Sequence, residues 1–386
     1  MTGFPPPHGG QLRQIAERFG IPAARLLDFS ANLNPEGPPA SVLTCLRESL
    51  DNPSALASYP DLEEKELRQS LARYACVQPE NVVAANGFVP LLDAVLRVLP
   101  IRSCLVPVPA FVEYRKTLER SRVGMIPLAP ATGSGFTYDV DHLLSGSYNG
   151  VLIANPQNPS GTLCPPETLV RFVERASRRN VSVLIDEAFI DYHKETSLAG
   201  EIDQFPNLII FRSVTKFFGM AGLRVAYVLA NAGLAKQIQD ALAPWAITML
   251  ASLATRVAVE DEAYCRCTIV LNDKRRSRLH TGLETLGLHV YPSAANFLLL
   301  RFPGSVDCQQ SWEQLVRVHH IVLRNCANYE GLADGHLRTA IRTDAENDRL
   351  LEALADALGR NNKPIPKPDR AARSRFIRRR SPRVDH

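Results

Sequence analysis

Three short apolar runs in this chain end in polar residues unlike those that usually close a core strand. Val151–Ala154 runs into Asn155-Pro-Gln-Asn158-Pro-Ser-Gly161. Val183–Ile185 stops at Asp186-Glu187-Ala188-Phe189, and Leu208–Phe211 stops at Arg212-Ser213-Val-Thr-Lys216, with Gly222-Leu-Arg224 following. In a parallel α/β sheet, ligands sit beyond the carboxyl ends of the strands. The three ends therefore bring an Asn, an Asp, a Ser, a Lys and an Arg to one crevice. A lysine amine can bond covalently to an aldehyde. An aspartate beside a pyridine nitrogen keeps that nitrogen protonated, so the ring draws electrons. A serine hydroxyl and an arginine fork can grip a phosphate. An aldehyde, a pyridine ring and a phosphate in one small molecule describe pyridoxal 5'-phosphate (PLP), and each of its needs finds a residue. Taken singly, Lys216 reads as a solvated lysine, Asp186 as a helix N-cap and Arg224 as a surface charge. Their joint order and spacing carry the inference.

The elements that must position these residues can be read from hydrophobic pattern. Helical spacing covers Gln11–Phe19, Ala40–Leu50, Leu62–Tyr74, Glu260–Leu286 and Ala345–Leu358. Between them short apolar runs alternate with amphipathic stretches: Asn81–Ala85, Ser103–Val106, Gly124–Leu128, Gly150–Ala154, Ser182–Ile185, Leu208–Phe211 and Arg224–Leu229. Continuous apolar strands separated by helices predict a mostly parallel sheet covered on both faces. His289–Phe302, Ile321–Arg324 and Leu337–Ile341 read as strands of a smaller α+β unit. The expected division is an N-terminal arm (1–50) packing with the small unit, a large domain (51–286), a small C-terminal domain (287–360) and a basic tail (361–386).

Composition bounds the class. The 386 residues are 45% hydrophobic, enough for a sizeable core, and 22% charged, ordinary for a soluble protein. The net charge of +4 is unevenly placed: nine Lys/Arg against two Asp fall between Lys363 and His386, which leaves the rest of the chain at −3. That tail, rich in Pro and Arg and poor in apolar residues, is expected to be disordered. None of the eight cysteines forms a C-x-x-C pair, so reduced thiols in a cytoplasmic protein are expected. The start, MTGFPPPHGG, lacks an apolar signal core, and no run approaches the ~20 apolar residues of a membrane span. Neither a membrane nor a nucleic-acid partner is expected.

Ser213, Lys216 and Arg224 at S-x-x-K followed by Arg, preceded by N-P-x-N-P-S-G and D-E-A-F, resemble the class I/II aminotransferases over roughly residues 8–358. The resemblance implies the α/β fold type I of PLP enzymes, a large domain with a mostly parallel central sheet and a smaller α+β domain. It implies that Lys216 bonds to the cofactor and that Asp186 pairs with the ring nitrogen. It also implies that Asn158 bonds the ring 3'-oxygen and that Ser213 and Arg224 hold the phosphate. Phe111, in Pro109-Ala-Phe-Val-Glu-Tyr114, stands where this family stacks an aromatic on the ring, and Gly87-Phe88 stand at the phosphate-cradling turn. Tyr59 resembles the tyrosine that reaches the phosphate in the neighbouring subunit, which implies a homodimer with shared active sites.

Two departures have physical consequences. Many relatives carry a tyrosine three residues after the aspartate, donating to the 3'-oxygen; this chain has Phe189. The cradling turn usually carries polar residues after its glycine; here it reads Asn86-Gly87-Phe88-Val89-Pro90. A helix N-terminus still offers backbone N–H groups to a phosphate, but Pro90 offers none. Further stretches narrow the resemblance to the cobalamin-pathway threonine-phosphate decarboxylases: His8-Gly9-Gly10, Leu27–Pro35, Ala243-Pro-Trp245, and Leu323–Gly331 with Leu337–Arg342. The implied reaction is decarboxylation of L-threonine O-3-phosphate. The alternative is histidinol-phosphate aminotransferase, which shares most cofactor residues; a regulatory or non-catalytic relative is more remote. The implied partner is a phosphorylated, amino-acid-like substrate. Its expected ligands are Arg338 for a carboxylate or its equivalent and Arg324 for the substrate phosphate, with Arg342, His8 and Asn32 near them. No metal is expected.

Overall fold

The computed structural model describes residues 6–130 and 135–359. The tail expected to be disordered lies outside the described residues. In chain order the strands are β1 (Leu27–Asp28), β2 (Val82–Ala85), β3 (Ser103–Pro107), β4 (Gly124–Leu128), β5 (Gly150–Ala154), β6 (Ser182–Asp186) and β7 (Leu208–Ser213). They continue with β8 (Ala226–Leu229), β9 (His289–Val290), β10 (Phe297–Arg301), β11 (Ile321–Val322), β12 (Arg324–Asn325) and β13 (His336–Ala340). Seven form one sheet in the order β2-β8-β7-β6-β5-β3-β4. β8 runs antiparallel to both neighbours, and the remaining pairs are parallel. The expected α/β class with a mostly parallel sheet is what the chain forms.

Period-two alternation sorts the strand residues between two cores. Val83, Leu152, Leu184, Ile209 and Phe211 enter one, against the helix Phe88–Val98. Val82, Val151, Ile153, Val183, Ile185 and Ile210 enter the other, with Phe172 and Phe217. Both faces are buried, which is why the strands read as unbroken apolar runs. A third core joins Leu298, Leu300 and Leu337 to Trp312, Leu350 and Leu354, and takes in Ile15, Leu26 and Phe29 from the arm. Backbone pairing ties the arm down as well: Leu27 pairs with Ile321 and Asp28 with Val322.

Several expected elements differ in detail: the run Ile321–Arg324 is two strands, β11 and β12, in different sheets, and the helix expected from Leu62 begins at Lys65. The strand expected from Arg224 starts at Ala226, because Arg224 takes a left-handed conformation, φ 63°. The run His289–Phe302 is two antiparallel strands, β9 and β10, rather than one. The intervening turn is fixed by Ser293 Oγ, which donates to Phe297 O (2.7 Å) and accepts from Ala295 N–H (3.1 Å). The long helix begins at Glu262, where Asp261 caps it by accepting from Tyr264 N–H at 2.9 Å. The preceding turn of apolar residues belongs to a separate helix, Met249–Glu260. No helix among the described residues is long and apolar enough to cross a membrane.

Candidate active site

The parallel register puts the three polar strand ends side by side. Ala154 pairs with Asp186 and Asp186 with Phe211, so Asn155, Asp186 and Ser213 leave the sheet at adjacent points. Beneath them Arg212 Nε donates to Glu187 Oε2 at 3.0 Å. Glu187 is sealed from solvent and also accepts from Ser197 Oγ (2.7 Å) and Leu198 N–H (3.2 Å). A buried ion pair of this kind pins the end of β6 to the end of β7.

A cavity of about 440 Å³ opens beyond these ends. Nine of the expected residues line it: His8, Gly87, Phe88, Phe111, Asn158, Asp186, Ser213, Lys216 and Arg224. Lys216 sits on the short helix Val214–Phe217, capped by Ser213. Its Nζ lies 3.4 Å from Ser213 Oγ. Burial pulls the amine down to about 8, against the raising effect of Asp186, with Arg224 adding to the depression. A neutral amine is the form that attacks an aldehyde. Asp186 is pushed up by burial, while hydrogen bonds from Tyr114 and from Ala188 N–H, and the Lys216 charge, pull it back. Tyr114 Oη donates at 2.6 Å and Ala188 N–H at 3.0 Å.

At one end of the cavity the helix Phe88–Val98 starts at Gly87, with φ 93° and ψ 173°. A Cβ there would stand 3.0 Å from Arg224 Nη2. Glycine keeps open a hollow bounded by a helix N-terminus, the Arg224 guanidinium and the hydroxyls of Ser213 and Thr215, which lie 2.7 Å apart. Guanidinium, hydroxyls and helix-end N–H groups form a donor set suited to a phosphate. The apolar residue in this turn has a structural cause: Phe88 packs against Phe211 (5.0 Å) and Tyr114 (5.5 Å) in the core below. Phe189, also on the lining, is buried against Phe297 at 4.9 Å. A phosphate hollow, an amine whose neutral form burial favours, and an acidic group across the same cavity fit PLP.

The remaining expected residues are placed differently. Arg338 Nη1 donates to Asn158 Oδ1 (2.6 Å) and Nη2 to Ser30 O (3.2 Å), leaving buried Nε with no partner among the described residues. Asn32 is buried and its Oδ1 likewise has no partner there. Arg324 is engaged by the arm, donating to Pro6 O (3.2 Å), Pro7 O (2.6 Å) and Asn328 Oδ1 (2.7 Å). It thereby holds the segment that carries His8, whose Nε2 meets Glu113 at 2.9 Å. Arg342 does not line the cavity: it binds Asp28 O (3.1 Å) and Glu346 (2.8 Å) and bridges the arm to the last helix. Tyr59 is 80% exposed, stacked on Trp245 at 4.5 Å, and does not line this cavity.

Thr215 and Glu113 also line the cavity and Tyr114 bonds Asp186, although no motif gives these three a role. Thr215 carried a signal, a second hydroxyl two residues after Ser213. Tyr114 carried a weaker one, three residues after Phe111 on a helix start. Nothing in the sequence marked Glu113.

Comparison with known proteins supplies the family. The model for aminotransferase class I and II matches residues 24–354. The chain is 34% identical over 365 residues to threonine-phosphate decarboxylase of Salmonella typhimurium, covering 93% of this chain and 98% of that one. It is 31% identical over 360 residues to histidinol-phosphate aminotransferase 2 of Nitrosospira multiformis, covering 91% and 88%. Histidinol-phosphate aminotransferase from Sinorhizobium meliloti, solved in complex with PLP, shares the fold with a TM-score of 0.80 at 23% identity, over 90% of this chain and 94% of that chain.

Proposed function

The chain belongs to the class I and II aminotransferases, a PLP-dependent family, and from that premise we propose that it decarboxylates L-threonine O-3-phosphate to (R)-1-amino-2-propanol O-2-phosphate, the linker used in cobalamin assembly. The observation that carries this reading is the arm: Arg324 holds it so that His8 lines the cavity together with Lys216 and Asp186. The 34% identity to a threonine-phosphate decarboxylase along nearly the whole chain supports the same reading.

When bound, PLP withdraws electrons from the substrate bond that stands perpendicular to its ring, so orientation selects which bond breaks. The residues of this chain supply that orientation. Lys216 Nζ would hold the cofactor and, once released as an ammonium, would donate a proton to the carbon that carbon dioxide has left. Asp186 would keep the ring nitrogen protonated, and Asn158 would bond the 3'-oxygen. Ser213, Thr215, Arg224 and the helix start at Gly87 would hold the cofactor phosphate, and Phe111 would supply an aromatic surface for its ring. Arg338, whose Nε has no partner among the described residues, and Asn32 would steer the substrate carboxylate. His8, on the arm that Arg324 holds, would meet the substrate phosphate. Arg324 itself, engaged by the arm, is a positioning residue rather than the expected phosphate ligand. Tyr59, exposed on its own subunit, reaches the phosphate of a second copy in a homodimer. The division into arm, large domain and small domain belongs to this same reading; the cavity is lined by large-domain residues and by His8 of the arm.

Amino transfer from histidinol phosphate is the second reading, favoured by 31% identity over 91% of the chain. One assay separates the two. PLP-loaded enzyme is given L-threonine O-3-phosphate and, in parallel, histidinol phosphate with 2-oxoglutarate. Carbon dioxide release without a keto acid supports decarboxylation; glutamate formation in the parallel reaction would replace it with amino transfer.

A further inference from the structure

Tyr114 is 1% exposed, and its hydroxyl reaches one acceptor, Asp186 Oδ2, at 2.6 Å. It stands on the first turn of the helix Val112–Arg120, whose N-cap is Phe111. One turn of backbone thus presents an aromatic face to the cavity and a phenol to the carboxylate. The phenol is held in place: its ring meets Phe111 edge-on at 5.7 Å and 89°, and Phe88 at 5.5 Å. Among the described residues Asp186 receives one other hydrogen bond, from Ala188 N–H to Oδ1. The charges facing it are Lys216, which favours its ionised form, and Glu187, which opposes it.

We propose that Tyr114 is a positioning residue that fixes the Asp186 carboxylate and selects its ionised form, and so decides on which atom the proton shared with the cofactor ring nitrogen rests. This rests on the reading that Asp186 meets that nitrogen. In a buried site two arrangements compete: carboxylate with protonated nitrogen, and carboxylic acid with neutral nitrogen. They differ by one proton moved along one hydrogen bond. Low polarity favours the neutral pair, because burial penalises charge. Hydrogen bonds donated into the carboxylate favour the charged pair, and a 2.6 Å O–H···O⁻ bond is among the stronger kinds. Burial holds the Tyr114 phenol far above its ordinary range, so it remains a donor throughout the working pH. The chain has Phe189 where many relatives place a phenol on the opposite ring edge. Tyr114 therefore tunes electron withdrawal from the nitrogen side.

The test uses holoenzyme loaded with PLP carrying ¹⁵N at the ring nitrogen, compared as wild type, Tyr114→Phe and Asp186→Asn. The nitrogen chemical shift reads the proton directly, which a merely packed tyrosine would not move. Loss of one charge-assisted hydrogen bond shifts such an equilibrium roughly ten- to hundredfold. Tyr114→Phe is expected to move the shift from the wild-type value toward that of unprotonated nitrogen, with kcat falling more than KM rises. Asp186→Asn is expected to move it at least as far. An unchanged shift in Tyr114→Phe, with Asp186→Asn displaced, overturns the role of Tyr114 alone. An unchanged shift in Asp186→Asn overturns the underlying pairing as well. Should Tyr114→Phe fail to load cofactor, 3-fluorotyrosine at position 114 keeps the shape and strengthens the donor. Its expected displacement is in the opposite direction, and no displacement overturns the proposal.

Discussion

Gly87→Ala puts a methyl group against the Arg224 guanidinium and a side chain on a backbone conformation suited to glycine. Two costs follow, and they can be measured apart. The first is conformational. Gly87 has φ 93° and ψ 173°, a region that L side chains occupy at a cost of about 1–3 kcal/mol. That strain is present without cofactor, so it lowers the stability of the cofactor-free protein by that amount. The second is steric. The new Cβ stands 3.0 Å from Arg224 Nη2, and the guanidinium is the far end of a flexible side chain, so it yields by a few tenths of an ångström. The displacement weakens a charge-assisted contact to the cofactor phosphate. A loss of about 1.5 kcal/mol, the lower end for hydrogen bonds to charged groups, raises the PLP dissociation constant roughly tenfold. Denaturant unfolding of the cofactor-free variant reads the first cost. Titration with PLP, followed by the visible band of the lysine-bound cofactor, reads the second. A variant as stable as wild type and binding PLP equally well would refute both the strain and the location of the phosphate hollow.

Other perturbations test neighbouring parts of the site. Burial holds Lys216 near 8, from an ordinary 10.5, so between those values the unfolded chain binds more protons than the folded one. Stability of the cofactor-free protein therefore rises with pH across that window. Lys216→Met is expected to be more stable than wild type at pH 7, by at most about 3 kcal/mol. The gap should close above pH 10.5, and a constant gap in pH-dependent unfolding would contradict the buried amine. Arg212→Met strands the sealed Glu187 and should cost about 3–5 kcal/mol, whereas adding Glu187→Met should restore much of it. A double variant no more stable than the single one would remove Glu187 as the cause. Arg338→Lys loses the fork that spans Asn158 and Ser30 O. It should raise the substrate KM roughly tenfold or more while PLP affinity stays at the wild-type value, and a loss of PLP affinity instead would place Arg338 with the cofactor.

What could be read from the sequence, and what could not, follows from how each feature is encoded. The ends of β5, β6 and β7 were legible because a buried parallel strand is a continuous apolar run, and the residue that ends it stands out. The turn within His289–Phe302 was not, because it is made by one side chain, Ser293, folding back on Phe297 O. No periodicity records that. Family resemblance marks Arg224 as a phosphate ligand, yet its place before an apolar run reads as the first residue of a strand, since a left-handed arginine has no mark in sequence. Phe88 looked out of place in a cradling turn until its packing on Phe211 showed that it belongs to the core. Arg342 shared its spacing with Arg338 on and after β13, but tertiary contacts with Asp28 and Glu346 claim it. Tyr114 escaped notice because tyrosines on helices usually serve packing, and only the distance to Asp186 distinguishes it.

The most direct measurement follows the substrate's own carbon. L-threonine O-3-phosphate labelled with ¹³C in its carboxyl group is incubated with PLP-loaded enzyme in deuterium oxide and observed by NMR. Decarboxylation predicts that the label leaves as carbon dioxide and bicarbonate, and that the amino-alcohol phosphate carries one deuterium on the carbon that held the carboxyl group. Retention of the label in the amino acid or in a keto acid, with 2-oxoglutarate converted to glutamate in the parallel reaction, would contradict it.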